Sequence, residues 1–174
     1  MDADQAYSTI MIATRFSVAT HIMLLMATEP VGRLTSPRIA VSVNTNPVVV
    51  RRIMRLLARA GLVHVRRGQG GASLGREASG ISLDDVWCAV HPAPAPPLLP
   101  LHARPDPACP VGGQVHWLFG EVFSGAEAAM RVALAATSLA DMRARLGAKH
   151  HHQEVDAALV LSFPAYVSGV ETLE

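Results

Sequence analysis

Cysteine is scarce in this sequence, with two in 174 residues, Cys88 and Cys109. That is too few for a disulfide framework, so reduced thiols are expected. No apolar run approaches the ~18 residues a membrane-spanning helix needs. The stretches 22–27 and 157–161 fall far short of it. The opening Met1-Asp2-Ala3-Asp4 is acidic and lacks the basic start of a secretion signal. Together these absences predict a cytoplasmic protein with no membrane partner. No nucleophile–base pair stands out either. Gly68-Gln69-Gly70-Gly71 follows an extended piece but precedes no helix, so it is no nucleotide-binding loop. An enzyme is not expected.

The formal net charge, +1, is also small, but it conceals a division. Up to Ser79 there are ten arginines against Asp2, Asp4, Glu29 and Glu77, which leaves +6. From Gly80 onward five basic residues face ten acidic ones, which leaves −5. A basic first half joined to an acidic second half suggests contact with nucleic acid through one end. Half of the residues are hydrophobic and the mean hydropathy is +0.27, a value that an apolar helix buried between subunits would explain.

Residues 46–76 organise the reading. Asn46 suits an N-cap, Pro47 the first helical position and Gly61 the residue past the helix end. Between them Val49, Ile53, Leu56, Leu57 and Ala60 recur at helical spacing, with Arg51, Arg52, Arg55 and Arg59 off that face. Val63 and Val65 then alternate with His64 and Arg66, and a glycine-rich turn leads into a second extended piece, 72–76. This is how a recognition helix and its wing look in sequence. Ahead of them a helix is predicted over 15–28, with Phe16, Ala19, Ile22, Met23 and Met26 on one face, while the weak periodicity of 1–14 suits either the start of a first helix or packing on a neighbour. A short helix over 34–40, capped by Ser36 with Pro37 at its first position, and a turn at 42–45 follow.

Ser82 caps a helix over 81–90 whose first turn carries Asp84 and Asp85. The stretch 91–110 holds eight prolines and is expected to be a loop. From 114 to 146 Val115, Leu118, Val122, Ala126, Ala129 and Ala133 recur at three- and four-residue steps. They mark a long helix that pairs with its copy in a homodimer or, in the alternative, caps the first domain within one chain, and Thr137 or Ser138 is a candidate cap for a separate short helix. The fold class expected is mainly α with a small β-hairpin wing: a winged helix-turn-helix plus a long dimerisation helix. The divisions are a DNA-binding domain at 1–90, a proline-rich sensor or loop region at 91–112, a dimerisation helix at 113–146 and a tail at 147–174. His150-His151-His152 reads as a solvated run.

Several short strings, in order and at fitting spacings, resemble the Rrf2 family of bacterial transcription regulators (the IscR, NsrR and CymR type) over about residues 8–145. They are Arg15-Phe16-Ser17-Val18-Ala19-Thr20-His21-Ile22, Leu34-Thr35-Ser36 with Ile39-Ala40, and Asn46-Pro47-Val48-Val49-Val50-Arg51-Arg52-Ile53. After these come Ala60-Gly61-Leu62-Val63, Arg67-Gly68-Gln69-Gly70-Gly71, Ile81-Ser82-Leu83-Asp84-Asp85-Val86 and Cys109-Pro110-Val111-Gly112. The resemblance implies a dimeric repressor on a palindromic double-stranded DNA operator. It also implies a sensor, which in iron–sulfur members uses three cysteines in the loop before the long helix. Here that loop offers only Cys109, matching the last of the three, so no cofactor is expected. The chain is similar to the cluster-free branch, some members of which are described as thiol-based sensors.

On this reading Asn46, Val48, Val49, Arg51, Arg52 and Arg55 reach bases or phosphates from the recognition helix. Thr35, Ser36 and Thr45 bind phosphates from helix ends, and Arg66, Arg67 and Gln69 sit on the wing. Arg67→Ala is expected to weaken operator binding by about 1–3 kcal/mol. Cys109 is the redox-sensing candidate, and Cys88, beside Trp87, reads as a buried small hydrophobe. The alternative is a protein-interaction module, or a small-ligand or metal sensor built on His102, Cys109 and His116. The effector is not named by the sequence.

Overall fold

The computed structural model describes residues 3–29, 34–66, 71–91, 94 and 97–149, with side chains from 14 to 146. Arg67, Gln69, the three consecutive histidines and the tail lie outside the described residues. Packing groups residues 1–143 into one unit and 144–174 into a second, of which only the stretch to Lys149 is described.

The first helix, α1 (Ala3–Thr28), starts well before the expected Arg15. Nothing between these ends is glycine or proline, so no local breaker stops it. Ala19, Ile22, Met23 and Met26 are buried along one face, as their spacing predicts. The second helix, α2 (Ser36–Val43), is capped by Thr35 rather than Ser36, with the Arg38 N–H donating to the Thr35 hydroxyl at 3.5 Å. It also runs three residues past the expected end at 40, and Asn44 closes it at φ +53°. Asparagine is one of the few side chains that tolerates this left-handed conformation.

α3 (Pro47–Arg59) has the ends its sequence dictates. The Asn46 Oδ1 accepts from the Val48 N–H at 2.8 Å. At the other end Gly61 takes φ +70°, and the Leu62 N–H returns to the Leu57 carbonyl at 3.0 Å. Its buried stripe differs from the expected one. Val50, Ile53, Met54 and Leu57 face the core, while Val49 and Ala60 are exposed and Leu56 is half-buried. Both sets have helical spacing. Contacts with α1, α2 and α4 choose between them.

β1 (Val63–Val65) and β2 (Ala72–Leu74) pair antiparallel, with Val63 opposite Leu74 and Val65 opposite Ala72. Gly75 donates its N–H to the Leu62 carbonyl at 2.8 Å, and a Cβ there would run into the Gly61 carbonyl oxygen. The base of the hairpin is thus pressed against the end of α3. α4 (Leu83–Val90) begins with a full capping box between Ser82 and Asp85. The described part of 91–111 forms neither helix nor strand, and a single 3-10 turn, Gly112–Gln114, precedes α5 (Val115–Ala135).

The long helix expected over 114–146 is two. α6 (Leu139–Lys149) starts afresh after Ser138, whose hydroxyl accepts from the Asp141 N–H at 3.1 Å. The separation is fixed from afar: the Leu139 N–H donates to the Ile81 carbonyl at 2.8 Å, and the Leu83 N–H to the Thr137 carbonyl at 2.9 Å. Leu139 is thereby buried with Ile81, Val86 and Val90 in the same core that α1 and α3 build.

Candidate nucleic-acid interface

Between Glu29 and Glu77 the chain carries nine arginines and no carboxylate. The fold turns this sequence bias into a surface. α3 buries its apolar stripe, and every arginine on it faces outward. Arg51, Arg52, Arg55, Arg59 and Arg66 make no ion pair among the described residues. Three other basic-half arginines are already engaged. Arg38 pairs with Glu29 at 3.0 Å, Arg76 with Asp85 at 2.9 Å, and Arg15 donates to the Val90 carbonyl at 3.2 Å. Five of the ten first-half arginines thus lie on α3 and just past β1 without an ion pair among the described residues.

The structure brings Thr35, Ser36, Arg51, Arg55 and Arg66 together. They line one cleft of about 470 Å³ between the start of α2, the outer side of α3 and the hairpin. Thr45, Val49 and Arg52 line a second hollow of about 250 Å³ on the other side of α3, toward α1. Val48 is 57% exposed at the tip of α3. Asn46 stands at the same tip, but its side-chain oxygen caps the helix. Val65 is 57% exposed, unlike Val63 on the same face, because the hairpin has passed the core by that point. The first turn of α3 presents two exposed valines, followed by guanidinium groups, while its N–H groups are taken up by Asn46. Such a surface can meet phosphate oxygens and the edges of bases in a major groove.

The remaining candidates fall elsewhere. Cys109 is exposed, and the Gly112 and Val111 N–H groups hold its thiolate and lower its pKa below the usual thiol value. The His116 ring donates to the His102 carbonyl at 2.9 Å. Among the described residues no three His, Cys, Asp or Glu side chains converge as a metal site. Leu118, Val122, Ala126, Ala129 and Ala133 are all exposed on one face of α5. Val115 is corrected: it is buried at the start of α5, where the 3-10 turn packs, and offers nothing to a partner.

Cys88 is a second correction, being exposed rather than buried. On α4 its neighbours Val86, Trp87, Ala89 and Val90 fill the core, while Cys88 shares the outer strip with Asp84. Sequence reasoning missed what covers that strip. Arg131 of α5 grips Asp84 through two nitrogens and donates from Nη2 to the Cys88 sulfur at 2.9 Å. Partial burial and the Asp84 charge push the Cys88 thiol up. An acidic residue and a cysteine four apart were the available sign, but no local pattern tells that an arginine 43 residues later arrives there.

With this geometry in place, comparison with known proteins is decisive. The profile of the Rrf2 family, described as "Iron-dependent Transcriptional regulator", matches residues 12–145. The chain belongs to the Rrf2 family. A Bacillus subtilis (strain 168) relative, provisionally named HTH-type transcriptional regulator YwnA, is 41% identical over 132 residues, covering 76% of this chain and 96% of the relative. A crystal structure provisionally assigned as a DNA-binding protein is 38% identical with a TM-score of 0.58, over 74% of this chain and 97% of that one. The structure of B. subtilis CymR, named as the global cysteine regulator, shares the fold at 23% identity and a TM-score of 0.53, over 75% of this chain and 94% of its own.

This Rrf2 protein is a DNA-binding transcriptional regulator with a winged-helix fold, not an enzyme. No helix among its described residues is long and apolar enough to cross a membrane. The iron in the family's description is not matched by its thiols. Of two cysteines in the whole chain, Cys109 stands alone in its loop and Cys88 is held by Arg131. Those residues do not fit an iron–sulfur cluster, which takes several thiolates.

Proposed function

We propose that this Rrf2 protein is a homodimeric repressor of a palindromic operator that works without a cluster. The carboxylate-free arginine surface of α3 and the hairpin carries this reading. The amino-terminal half of α3 enters the major groove with Val48, Val49, Arg51 and Arg52. The strand of DNA backbone leaving that groove passes over Thr35, Ser36, Arg55 and Arg66 toward the wing, where Arg67 and Gln69 lie in sequence. The apolar outer face of α5 supports pairing with a second copy. Val122 alone is 63% exposed there, a costly arrangement in water. Two-fold pairing would present two recognition helices to two half-sites.

Mobility-shift titration with operator selected from random duplexes tests this, together with light scattering. The expected results are a palindromic consensus, a dimer mass and an affinity that falls steeply with salt, as release of counterions from several phosphates requires. A monomer, or a salt-insensitive interaction, would contradict it.

A thiol-sensing role for Cys109 rests on its exposure and on the backbone N–H groups that favour its thiolate. The thiolate attacks a peroxide, the O–O bond breaks, the sulfur becomes a sulfenate and water leaves after protonation. Peroxide should release the operator from the wild type and not from Cys109→Ser. Equal release from both would remove Cys109 from sensing.

A further inference from the structure

The 470 Å³ cleft has a feature that DNA contact leaves unused. Its size lies in the range of small-molecule sites. Leu34, Ile39, Met54 and Ala72 form an apolar floor. A sugar–phosphate backbone is stiff and strongly hydrated, so it can meet the rim while leaving that floor empty. The floor is pre-formed, because the Ala72 N–H donates to the Leu34 carbonyl at 3.2 Å and fixes the hairpin against the lead-in to α2. The rim carries Arg51, Arg55 and Arg66, with no carboxylate anywhere in 30–76 to answer them. The smaller hollow toward α1 lacks this combination. There Arg15 is tied to the Val90 carbonyl, which leaves Arg52 as its one uncommitted cation among the described lining.

A guanidinium fork matches a carboxylate in geometry and charge, and a sheltered apolar floor matches a hydrocarbon body. We propose that the cleft is an effector site for a small organic carboxylate with an apolar aromatic or aliphatic body. Its occupancy competes with DNA for Arg51, Arg55 and Arg66. The competition rests on the DNA-contact reading above, whereas the binding of the carboxylate does not.

The test uses the full chain and 2-naphthoate as probe, with acetate (charge without body) and 2-naphthol (body without charge) as controls. Calorimetry without DNA should show 2-naphthoate binding at one site per subunit, with both controls at least about tenfold weaker. Arg55→Ala, an exposed position with no ion pair among the described residues and only a long 3.4 Å bond from Nε to the Arg51 carbonyl, should weaken 2-naphthoate about tenfold. Ala58→Trp should abolish binding by filling the cleft, with its melting temperature checked against the wild type. Adding operator duplex should lower the apparent affinity for 2-naphthoate in proportion to duplex concentration. Absence of binding, equal binding of 2-naphthol, or wild-type affinity in Arg55→Ala would overturn the site. Binding that duplex leaves unchanged would overturn the competition. A chain that takes 2-naphthoate as described but binds no duplex would overturn the DNA-contact reading and leave the cleft assignment standing.

Discussion

On α3 and the hairpin, Arg51, Arg55 and Arg66 face outward around one cleft with no ion pair among the described residues. Across the molecule Arg131 of α5 grips Asp84 of α4 through two nitrogens and covers Cys88 as well. The side chain is the same and its use is opposite. A guanidinium that has met its carboxylate holds two helices together and has little charge to offer a ligand. One that the fold keeps apart from every carboxylate retains its whole field for an anion. Counting basic residues does not separate these cases, whereas locating their counter-charges does.

The comparison breaks most severely if the exposed arginines are removed. Arg51→Ala combined with Arg55→Ala should cost about 2–6 kcal/mol of operator affinity and flatten the salt dependence by about two phosphate contacts, read by mobility shift. Its melting temperature should stay at the wild-type value, since neither side chain is buried or ion-paired among the described residues. A large loss of stability would mean that these arginines are scaffold. Gly75→Ala tests what holds the hairpin beside α3. Its Cβ meets the Gly61 carbonyl, so the base of the hairpin must shift. A destabilisation of about 1–3 kcal/mol in denaturant unfolding is expected, with operator affinity falling as well because Arg66 moves. Arg131→Ala is the mirror image of the first variant. Both partners are partly solvated, so the loss should be about 1 kcal/mol of stability, with operator affinity unchanged.

Much of the interface was legible because its signals are local. Asn46, Pro47 and Gly61 mark both ends of α3 within 16 residues, and the arginine bias between Glu29 and Glu77 can be counted. Which side of α3 faces inward was not legible. The expected face of Val49, Ile53, Leu56, Leu57 and Ala60 shares Ile53 and Leu57 with the buried set of Val50, Ile53, Met54 and Leu57, and only the arrival of other helices decides between their neighbours. The division of the long helix was legible in part, through the candidate cap at Ser138 that does open α6, and is otherwise settled at a distance. Apolar spacing continues through Ala136, yet Thr137 and Leu139 bond to Leu83 and Ile81, more than 50 residues earlier. Cys88 reads as core among Trp87, Ala89 and Val90, yet it lies on the outer strip of α4, where Arg131 of α5 reaches it. The cleft is of the same kind, since Val65 and Arg66 meet Arg51 and Arg55 only when the hairpin folds back beside α3.

The smallest expected effect concerns Asp85, which among the described residues is the carboxylate of α4 that faces an arginine of the basic half. Partial burial raises its pKa. The Ser82 N–H and hydroxyl and the Arg76 guanidinium outweigh that, and the net result lies below the ordinary 3.8. A carboxyl depressed by folding stabilises the native state above its unfolded pKa, and the contribution is lost as pH falls through the folded value. Melting temperatures should therefore carry the Asp85 contribution from pH 7 down to about 4 and lose it progressively below that. Asp85→Asn, which retains a cap-like side chain without the charge, should remove this part of the acid dependence. Because the group is partly solvated, the difference at pH 7 should be no more than about 1 kcal/mol. An Asp85→Asn profile parallel to the wild type down to pH 2.5 would mean that Arg76 and Asp85 are neighbours without consequence, and that the pairing on this side of the molecule stabilises only where α4 meets α5.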